Sequence, residues 1–145
     1  MYTEEKLHIL LADDDNDDVI IFNLALNKLP FAVLLTTAGD GAQLLAILDE
    51  ILPDVIFLDI NMPCKSGKEC IREIRANRKF DSVPIIMYTA VFKEDDIEET
   101  YRQGANFYLL KPNSIDKLAH RLKAILSFNW KGGVFFPNKY NFVIS

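Results

Sequence analysis

The stretch HILLADDDNDD, residues 8–18, joins a continuous apolar run to five aspartates within six positions. Its apolar part shows no polar alternation, which is the pattern of a strand covered on both faces of a parallel sheet. Carboxylates crowded behind such a strand repel one another, and this repulsion is tolerated where a cation or a helix N-terminus offsets it. The stretch therefore predicts a buried strand that leads into a metal ion or a helix cap.

Composition limits the chain to one globular domain. Of its 145 residues, 50% are apolar and 26% are charged, which gives room for a single buried core. The formal net charge is −5 and the basic residues are dispersed, so nucleic acid is not expected as a partner. The N-terminal MYTEEKLHIL is acidic where a signal peptide is basic, and no apolar run approaches the roughly 20 residues that cross a bilayer. We therefore expect a cytoplasmic protein with no membrane partner.

Four further apolar runs predict the remaining strands. They are AVLLT (32–36), VIFL (55–58), PIIMY (84–88) and FYLL (107–110). Segments with helical spacing lie between the runs, and Ser66 and Glu69 form the capping-box pattern that opens one of these helices. Five strands that alternate with five helices predict a doubly wound α/β fold with a five-stranded parallel sheet.

The strand ends of such a sheet are where ligands bind, at the point where the strand order reverses. If the order is 2-1-3-4-5, the first and third strands are neighbours there, and Asp13, Asp14 and Asp59 converge. Three carboxylates in close contact need a cation, and an all-oxygen ligand set suits Mg²⁺. Residues 15–18 would lie on the first helical turn, where carboxylates offset unpaired N–H groups.

Each strand-end residue also has a structural explanation when it is taken alone. Aspartates after a strand are often helix N-caps, a threonine is an ordinary strand residue, and a lone lysine is usually a solvated charge. Capping explains Asp59 poorly, because no obvious helix start follows it. The joint pattern of acids after two strands, Thr89 and Ala90 after another, and Lys111 and Pro112 after the last favours a functional site.

Four motifs resemble the receiver domain of two-component response regulators. They are LLADDD (10–15), VIFLDINMP (55–63), MYTA (87–90) and LLKP (109–112), in this order and at these strand ends. The resemblance covers about residues 7–127 and implies a flavodoxin-like receiver fold with strand order 2-1-3-4-5. The domain is expected over residues 1–127.

The resemblance also implies a chemistry at the acidic residues. Asp59 matches the aspartate that accepts a phosphoryl group from the phosphohistidine of a histidine kinase or histidine phosphotransfer protein. Mg²⁺ is the implied cofactor, held by the carboxylates of Asp13, Asp14 and Asp59 and by the backbone carbonyl of Asn61.

The remaining motif positions match groups that respond to the phosphoryl group. Thr89, the backbone N–H of Ala90 and Lys111 match the groups that bond to its oxygens. Thr89 and Tyr108 match the switch residues of the family. The Lys111–Pro112 bond matches a cis peptide.

The function implied by the resemblance is that of a stand-alone receiver with no output domain. Such a protein is a phosphoacceptor switch rather than an enzyme: it catalyses only its own phosphoryl transfer and dephosphorylation. Its signal is a changed surface around the fourth helix, fifth strand and fifth helix, read by an unidentified downstream protein. Two alternatives stay open: a receiver-like interaction module that is not phosphorylated, and a Mg²⁺-dependent aspartyl-phosphate phosphatase using Asp13 and Asp15.

Residues 128–145 form an aromatic-rich extension that departs from the family pattern. The segment is too short for a domain and too apolar for a solvated tail. We expect it to pack on its own domain or to form a homodimer through the last helix and the extension.

Overall fold

Six parallel strands form one sheet within the described residues, which in this computed structural model are 6–128, 130 and 136–145. In chain order they are β1 (Leu7–Ala12), β2 (Val33–Ala38), β3 (Val55–Leu58), β4 (Ile85–Thr89), β5 (Phe107–Leu110) and β6 (Val143–Ile144). Across the sheet the order is β2-β1-β3-β4-β5-β6. The predicted order of the first five strands is confirmed, and the reversal lies between β1 and β3.

Helices cover both faces of the sheet. They are α1 (Asn16–Leu26), α2 (Gly41–Leu48), α3 (Gly67–Ala76), α4 (Glu94–Arg102), α5 (Ile115–Leu126) and the single turn α6 (Lys139–Phe142). One apolar core joins the sheet to α2, α3 and α4, and a second core joins the opposite face to α1 and α5. The doubly wound architecture is therefore confirmed. In the part of the chain that the structure describes, every helix is too short or too polar to span a membrane.

Burial explains why the central strands show no polar alternation. Every residue of β3 and β4 is buried, because helices cover both sides of these strands. The predicted capping box of α3 is confirmed: the Ser66 hydroxyl accepts from the Glu69 N–H, and the Glu69 carboxylate accepts from the Ser66 N–H. Asp15 caps α1 by accepting from two N–H groups of its first turn.

The prediction of five strands misses β6. This strand pairs in parallel with β5, in a register that joins Tyr108 to Val143 and Leu109 to Ile144. It covers an edge that β5 would otherwise expose, and a strand of two residues leaves no periodicity in the sequence. Of the predicted extension, residues 129 and 131–135 lie outside the described residues, as do residues 1–5 of the predicted domain.

Candidate functional site

Backbone hydrogen bonds place the polar strand-end residues side by side. The pairing of the strands continues past their ends: the Asp13 N–H donates to Ala38, and the Asp59 N–H donates to Ala12, each at 3.0 Å. At the other side of the site, the Lys111 N–H donates to the Thr89 carbonyl at 2.9 Å. The register of the sheet therefore fixes the backbone positions of Asp13, Asp59 and Lys111.

Three of the predicted carboxylates form a cluster at this edge of the sheet. One carboxylate oxygen from each of Asp13, Asp14 and Asp59 lies within 4.8 Å of the others. Asp13 and Asp59 are buried, whereas Asp14 is exposed to solvent. The cluster therefore has two buried carboxylates and is open to solvent at the third.

Lys111 is the cation of this cluster. Its Nζ atom lies 2.8 Å from an oxygen of each of Asp13, Asp18 and Asp59, and 5.2 Å from the centre of the Tyr88 ring. Burial by itself lowers the pKa of Lys111, but hydrogen bonds to the three carboxylates outweigh burial and raise it above its usual value. The ammonium group therefore stays charged throughout the physiological range.

Asp13 is the carboxylate whose ionised form the site disfavours. Burial raises the pKa of its carboxyl group above the ordinary value, although the ammonium of Lys111 and the Asp15 N–H both lower it. Its Oδ2 atom lies 2.8 Å from the Lys111 ammonium, which is the one polar partner of this oxygen among the described residues. A buried carboxylate within 4.8 Å of two other carboxylates, one of them exposed to solvent, fits a divalent cation with oxygen ligands.

Asp18 belongs to the site but was not predicted there. It lies on the first turn of α1, where the sequence suggests only helix stabilisation, yet its carboxylate accepts from Lys111 at 2.8 Å. Asp14 precedes the N-cap Asp15, so helical spacing does not relate it to Asp18, and the sequence pattern carries no separate signal for the Asp18 contact.

The other predicted site residues surround the cluster at different degrees of burial. Thr89 is buried at the end of β4, and its Oγ1 accepts from the Val91 N–H at 3.3 Å. Ala90 and Asn61 lie exposed in the loops that follow β4 and β3. The structure thus brings Asp13, Asp14, Asp59 and Lys111 into one cluster and places the other residues at its rim.

Tyr108 connects β5 to the loop that follows Thr89. Its side chain is fully buried, and its hydroxyl donates to the Val91 carbonyl at 2.6 Å. Burial raises the pKa of this phenol to about 12, and the nearby charge of Asp96 adds to the shift. Tyr108 is therefore a neutral hydrogen-bond donor in this position.

A glycine allows α3 to approach the backbone of Asp59. A Cβ atom added at Gly67 would lie 2.2 Å from the Asp59 carbonyl oxygen, a distance that no side chain tolerates. The Gly67 N–H donates to the carbonyl of Ile60 at 2.7 Å, which closes the loop between β3 and α3. Cys64 in this loop adopts a left-handed conformation with φ of 67°.

The expected cis peptide between Lys111 and Pro112 is wrong for this structure, in which the bond is trans. The trans form of a bond to proline is favoured by roughly 0.5–1 kcal/mol.

Comparison with known proteins agrees with this geometry. The sequence model of the response regulator receiver domain matches residues 9–123. The response regulator Rcp1 of Synechocystis is 29% identical over 136 residues, which cover 89% of this chain and 92% of Rcp1. The probable methanogenesis regulatory protein FilR2 of Methanothrix harundinacea is 27% identical, with 89% of this chain and 86% of FilR2 covered.

Longer relatives match over part of their length. The transcriptional regulatory protein PrrA of Mycobacterium leprae is 36% identical over 118 residues, which cover 81% of this chain. This chain spans only 49% of PrrA, about half of its length.

Solved structures show the same fold. The phosphorylated cyanobacterial phytochrome response regulator RcpA superposes with a TM-score of 0.80 at 27% identity, covering 92% of this chain and all of RcpA. The Mn²⁺-bound form of Rcp1 superposes with a TM-score of 0.76 at 29% identity, covering 90% of this chain and 98% of Rcp1. The resemblance seen in the four sequence motifs is confirmed: this chain belongs to the response regulator receiver domain family.

Proposed function

We propose that this chain is the phosphoryl acceptor of a two-component phosphorelay and that Asp59 carries the phosphoryl group. One observation supports this assignment above the others. The Asp59 carboxylate is buried at a strand end, 2.8 Å from the Lys111 ammonium and next to two carboxylates that could share a cation with it.

The charge balance at the site indicates what an incoming phosphoryl group would require. Four carboxylates, those of Asp13, Asp14, Asp18 and Asp59, surround the single ammonium of Lys111. A phosphoryl dianion would be repelled by this excess of negative charge. A bound divalent cation would offset part of the charge and polarise the phosphoryl oxygens.

Mg²⁺ is the cation that we assign to this cluster. Asp13, Asp14 and Asp59 would supply carboxylate oxygens, and Asn61 would supply its backbone carbonyl. A site with few protein ligands and one exposed carboxylate leaves room for the waters that Mg²⁺ retains. The Mn²⁺-bound structure of the relative Rcp1 is consistent with such a site.

The transfer itself needs little from the protein beyond position and charge. An Asp59 oxygen attacks phosphorus as the P–N bond of the donor phosphohistidine breaks, and the imidazole, which carries a proton on its other ring nitrogen, leaves with the electron pair as the neutral ring. Lys111, which pairs with Asp13 and Asp18 beside Asp59, would donate to the phosphoryl oxygens as charge develops on them. The Thr89 hydroxyl and the Ala90 N–H donate to these oxygens from the end of β4.

The donor protein would dock beside this site, on α1. Ile20 and Leu24 are large apolar side chains, 57% and 46% exposed, and their spacing of four residues places them on one face of the helix. Asp18 of the same helix contacts Lys111, so the first turn of α1 borders the phosphoryl site, and Ile20 follows that turn closely along the helix. We assign the face to the histidine kinase or histidine phosphotransfer protein that delivers the phosphoryl group.

Intact-mass measurement tests the assignment on the full chain. With acetyl phosphate and Mg²⁺, we expect one phosphoryl adduct on the wild type, and no adduct after Asp59→Asn or in excess EDTA. Asp49→Asn is the matched control, because Asp49 is an exposed residue at the end of α2 and loses the same charge. An adduct that survives Asp59→Asn, or one that forms equally in EDTA, would contradict the proposal.

A further inference from the structure

Residues 136–145, here called the C-terminal strap, lie against the face formed by α4, β5 and α5. The strap continues the sheet, because β6 pairs in parallel with β5. Polar contacts fix both of its ends. On α4, the Tyr101 hydroxyl donates to the Pro137 carbonyl at 3.2 Å and Glu98 pairs with Lys139; on α5, Arg121 donates to the Ser145 carbonyl.

Phe142 anchors the strap in the core. Its side chain is fully buried, with the ring centre 5.0 Å from that of Tyr101 in an edge contact and 6.1 Å from that of Tyr108. Phe142 belongs to the same apolar core as the inner faces of α2, α3 and α4. The strap is thus packed as a part of the fold and not laid loosely on it.

Three successive contacts connect the anchor to Thr89 at the phosphoryl site. Phe142 packs on Tyr108, and the Tyr108 hydroxyl donates to the Val91 carbonyl. The Val91 N–H in turn donates to the Thr89 hydroxyl, at the strand end beside the acidic cluster. Displacement of Phe142 would remove the ring that covers Tyr108 on the strap side.

We propose that the C-terminal strap is an intrachain ligand of the α4–β5–α5 face: it holds Tyr108 in the buried position, and a partner protein that uses this face must displace it. A successful competitor presents an extended segment that can pair with β5 and an aromatic side chain that fills the place of Phe142. The last step, partner binding in response to a signal, rests on the proposed function, whereas the seating of the strap does not.

Two variants of the full chain distinguish loss of the buried anchor from loss of any aromatic side chain of the strap. Phe142→Ala removes the anchor, and Tyr140→Ala removes an aromatic ring two residues away that is 96% exposed. Both are followed by backbone amide NMR and hydrogen exchange, without a phosphoryl donor. For Phe142→Ala we expect about tenfold faster exchange of the β5 amides paired with β6 and shifted signals of Tyr108 and Val91. Tyr140→Ala should match the wild type.

A synthetic peptide of residues 136–145, FPNKYNFVIS, tests the face directly. Added to the Phe142→Ala chain, it should bind and restore the wild-type signals of Tyr108 and Val91, whereas the same peptide with alanine at the Phe142 position should not. The wild-type chain should bind the peptide at least about tenfold more weakly, because its own strap competes at high effective concentration.

Three results would overturn the proposal. The first is unchanged β5 exchange and unchanged Tyr108 signals in Phe142→Ala, and the second is peptide binding that is equal for the wild type and the variant. The third is a wild-type dimer whose β5 protection is lost on dilution, because the strap would then be seated on a second copy. If circular dichroism shows that Phe142→Ala does not fold, Tyr101→Phe combined with Lys139→Ala loosens the strap without creating a cavity and takes its place.

The test is independent of phosphorylation at Asp59. Exchange and peptide binding are read without donor or metal, so a chain that never forms an adduct still reports whether the strap is seated. Failure of the phosphoryl-transfer proposal and failure of the strap proposal therefore give different results.

Discussion

At the scale of single residues, the site holds one half-buried ammonium among more carboxylates than it can neutralise. Lys111 pairs with Asp13, Asp18 and Asp59 at equal distances, and the exposed carboxylate of Asp14 adds to the negative charge. Like charges at this separation weaken the folded state. We therefore expect the site to cost stability in the absence of a divalent cation.

Asp13→Asn should increase the free energy of unfolding at neutral pH in EDTA, by about 1 kcal/mol. Burial raises the pKa of Asp13 in the folded state, so the ionised form opposes folding above that pKa and the opposition disappears as the carboxyl group is protonated. The difference between variant and wild type should therefore shrink as the pH falls. Urea unfolding at a series of pH values measures it, with Asp49→Asn as control.

The same substitution should abolish most of the stabilisation that Mg²⁺ gives to the wild type, since a binding metal stabilises the folded state by mass action. A variant that is less stable than the wild type at every pH, or one that gains as much from Mg²⁺, would contradict this view of Asp13.

Cys64 offers a second test at this scale. A side chain at φ of 67° costs roughly 1–2 kcal/mol, a cost that glycine does not have. After the greater chain entropy of unfolded glycine is subtracted, Cys64→Gly should stabilise the protein by about 0.5–1 kcal/mol. Cys64→Ala keeps the backbone strain and is the control in urea unfolding. Equal stability of the two variants would show that the strain is absent.

Sequence reasoning found most of the cluster because strand ends in a parallel sheet share an edge. Asp13, Asp14, Asp59 and Lys111 each follow a predicted strand directly, so the sheet brings them together. The contact of Asp18 with Lys111 is not predicted by the sequence, because it depends on how the first turn of α1 is oriented toward β5. Acidic residues on that turn are also already explained by stabilisation of the helix N-terminus.

At the scale of elements, the loop from β3 to α3 sets the distance between the helix and the phosphoryl site. Gly67 is the residue of closest approach, since its α-carbon faces the Asp59 carbonyl and its N–H bonds to Ile60. The capping box at Ser66 and Glu69 fixes the start of α3 at this point. The loop therefore holds the start of α3 against the backbone of Asp59.

Gly67→Ala should lower the free energy of unfolding by at least about 2 kcal/mol and slow formation of the phosphoryl adduct, because the helix must shift away from Asp59. Gly39→Ala is the matched control: its added Cβ meets Gln43 at 3.6 Å, an ordinary contact. Chemical unfolding and intact mass after timed incubation with acetyl phosphate measure the two effects. A Gly67→Ala chain as stable and as reactive as Gly39→Ala would contradict the close approach.

The elements that sequence predicted well are those with a long periodic or continuous signal. The central strands and the five principal helices have such signals, as does the capping box of α3. The strand β6 has two residues and owes its existence to the open edge of β5, a tertiary effect that no local pattern reports.

At the scale of the whole molecule, the site, the donor face and the strap lie around one sheet. The first turn of α1 borders the acidic cluster through Asp18, Ile20 and Leu24 lie exposed further along the same helix, and the strap covers the far edge beyond β5. Input and output surfaces would thus be separate, with the phosphoryl site between them.

Ile20→Glu should slow phosphoryl transfer from a histidine kinase or phosphotransfer protein about tenfold, because a charge replaces an apolar contact at the docking face. Transfer from acetyl phosphate should stay within about twofold of the wild type, since a small donor does not need the face. Leu52→Glu is the control, because Leu52 is similarly exposed, at 55%, but lies before β3, away from the site. Equal losses with both donors would contradict a docking role.

The most direct test of Asp59 as acceptor is to locate the phosphoryl group. The full chain is incubated with acetyl phosphate and Mg²⁺, treated with borohydride, which reduces an aspartyl phosphate to homoserine, and mapped by peptide mass spectrometry. We expect homoserine at position 59 alone, and none when EDTA is present. Homoserine at Asp13 or Asp15 would instead indicate the chemistry of an aspartyl-phosphate phosphatase, and its absence at every aspartate would contradict phosphoryl acceptance by this site.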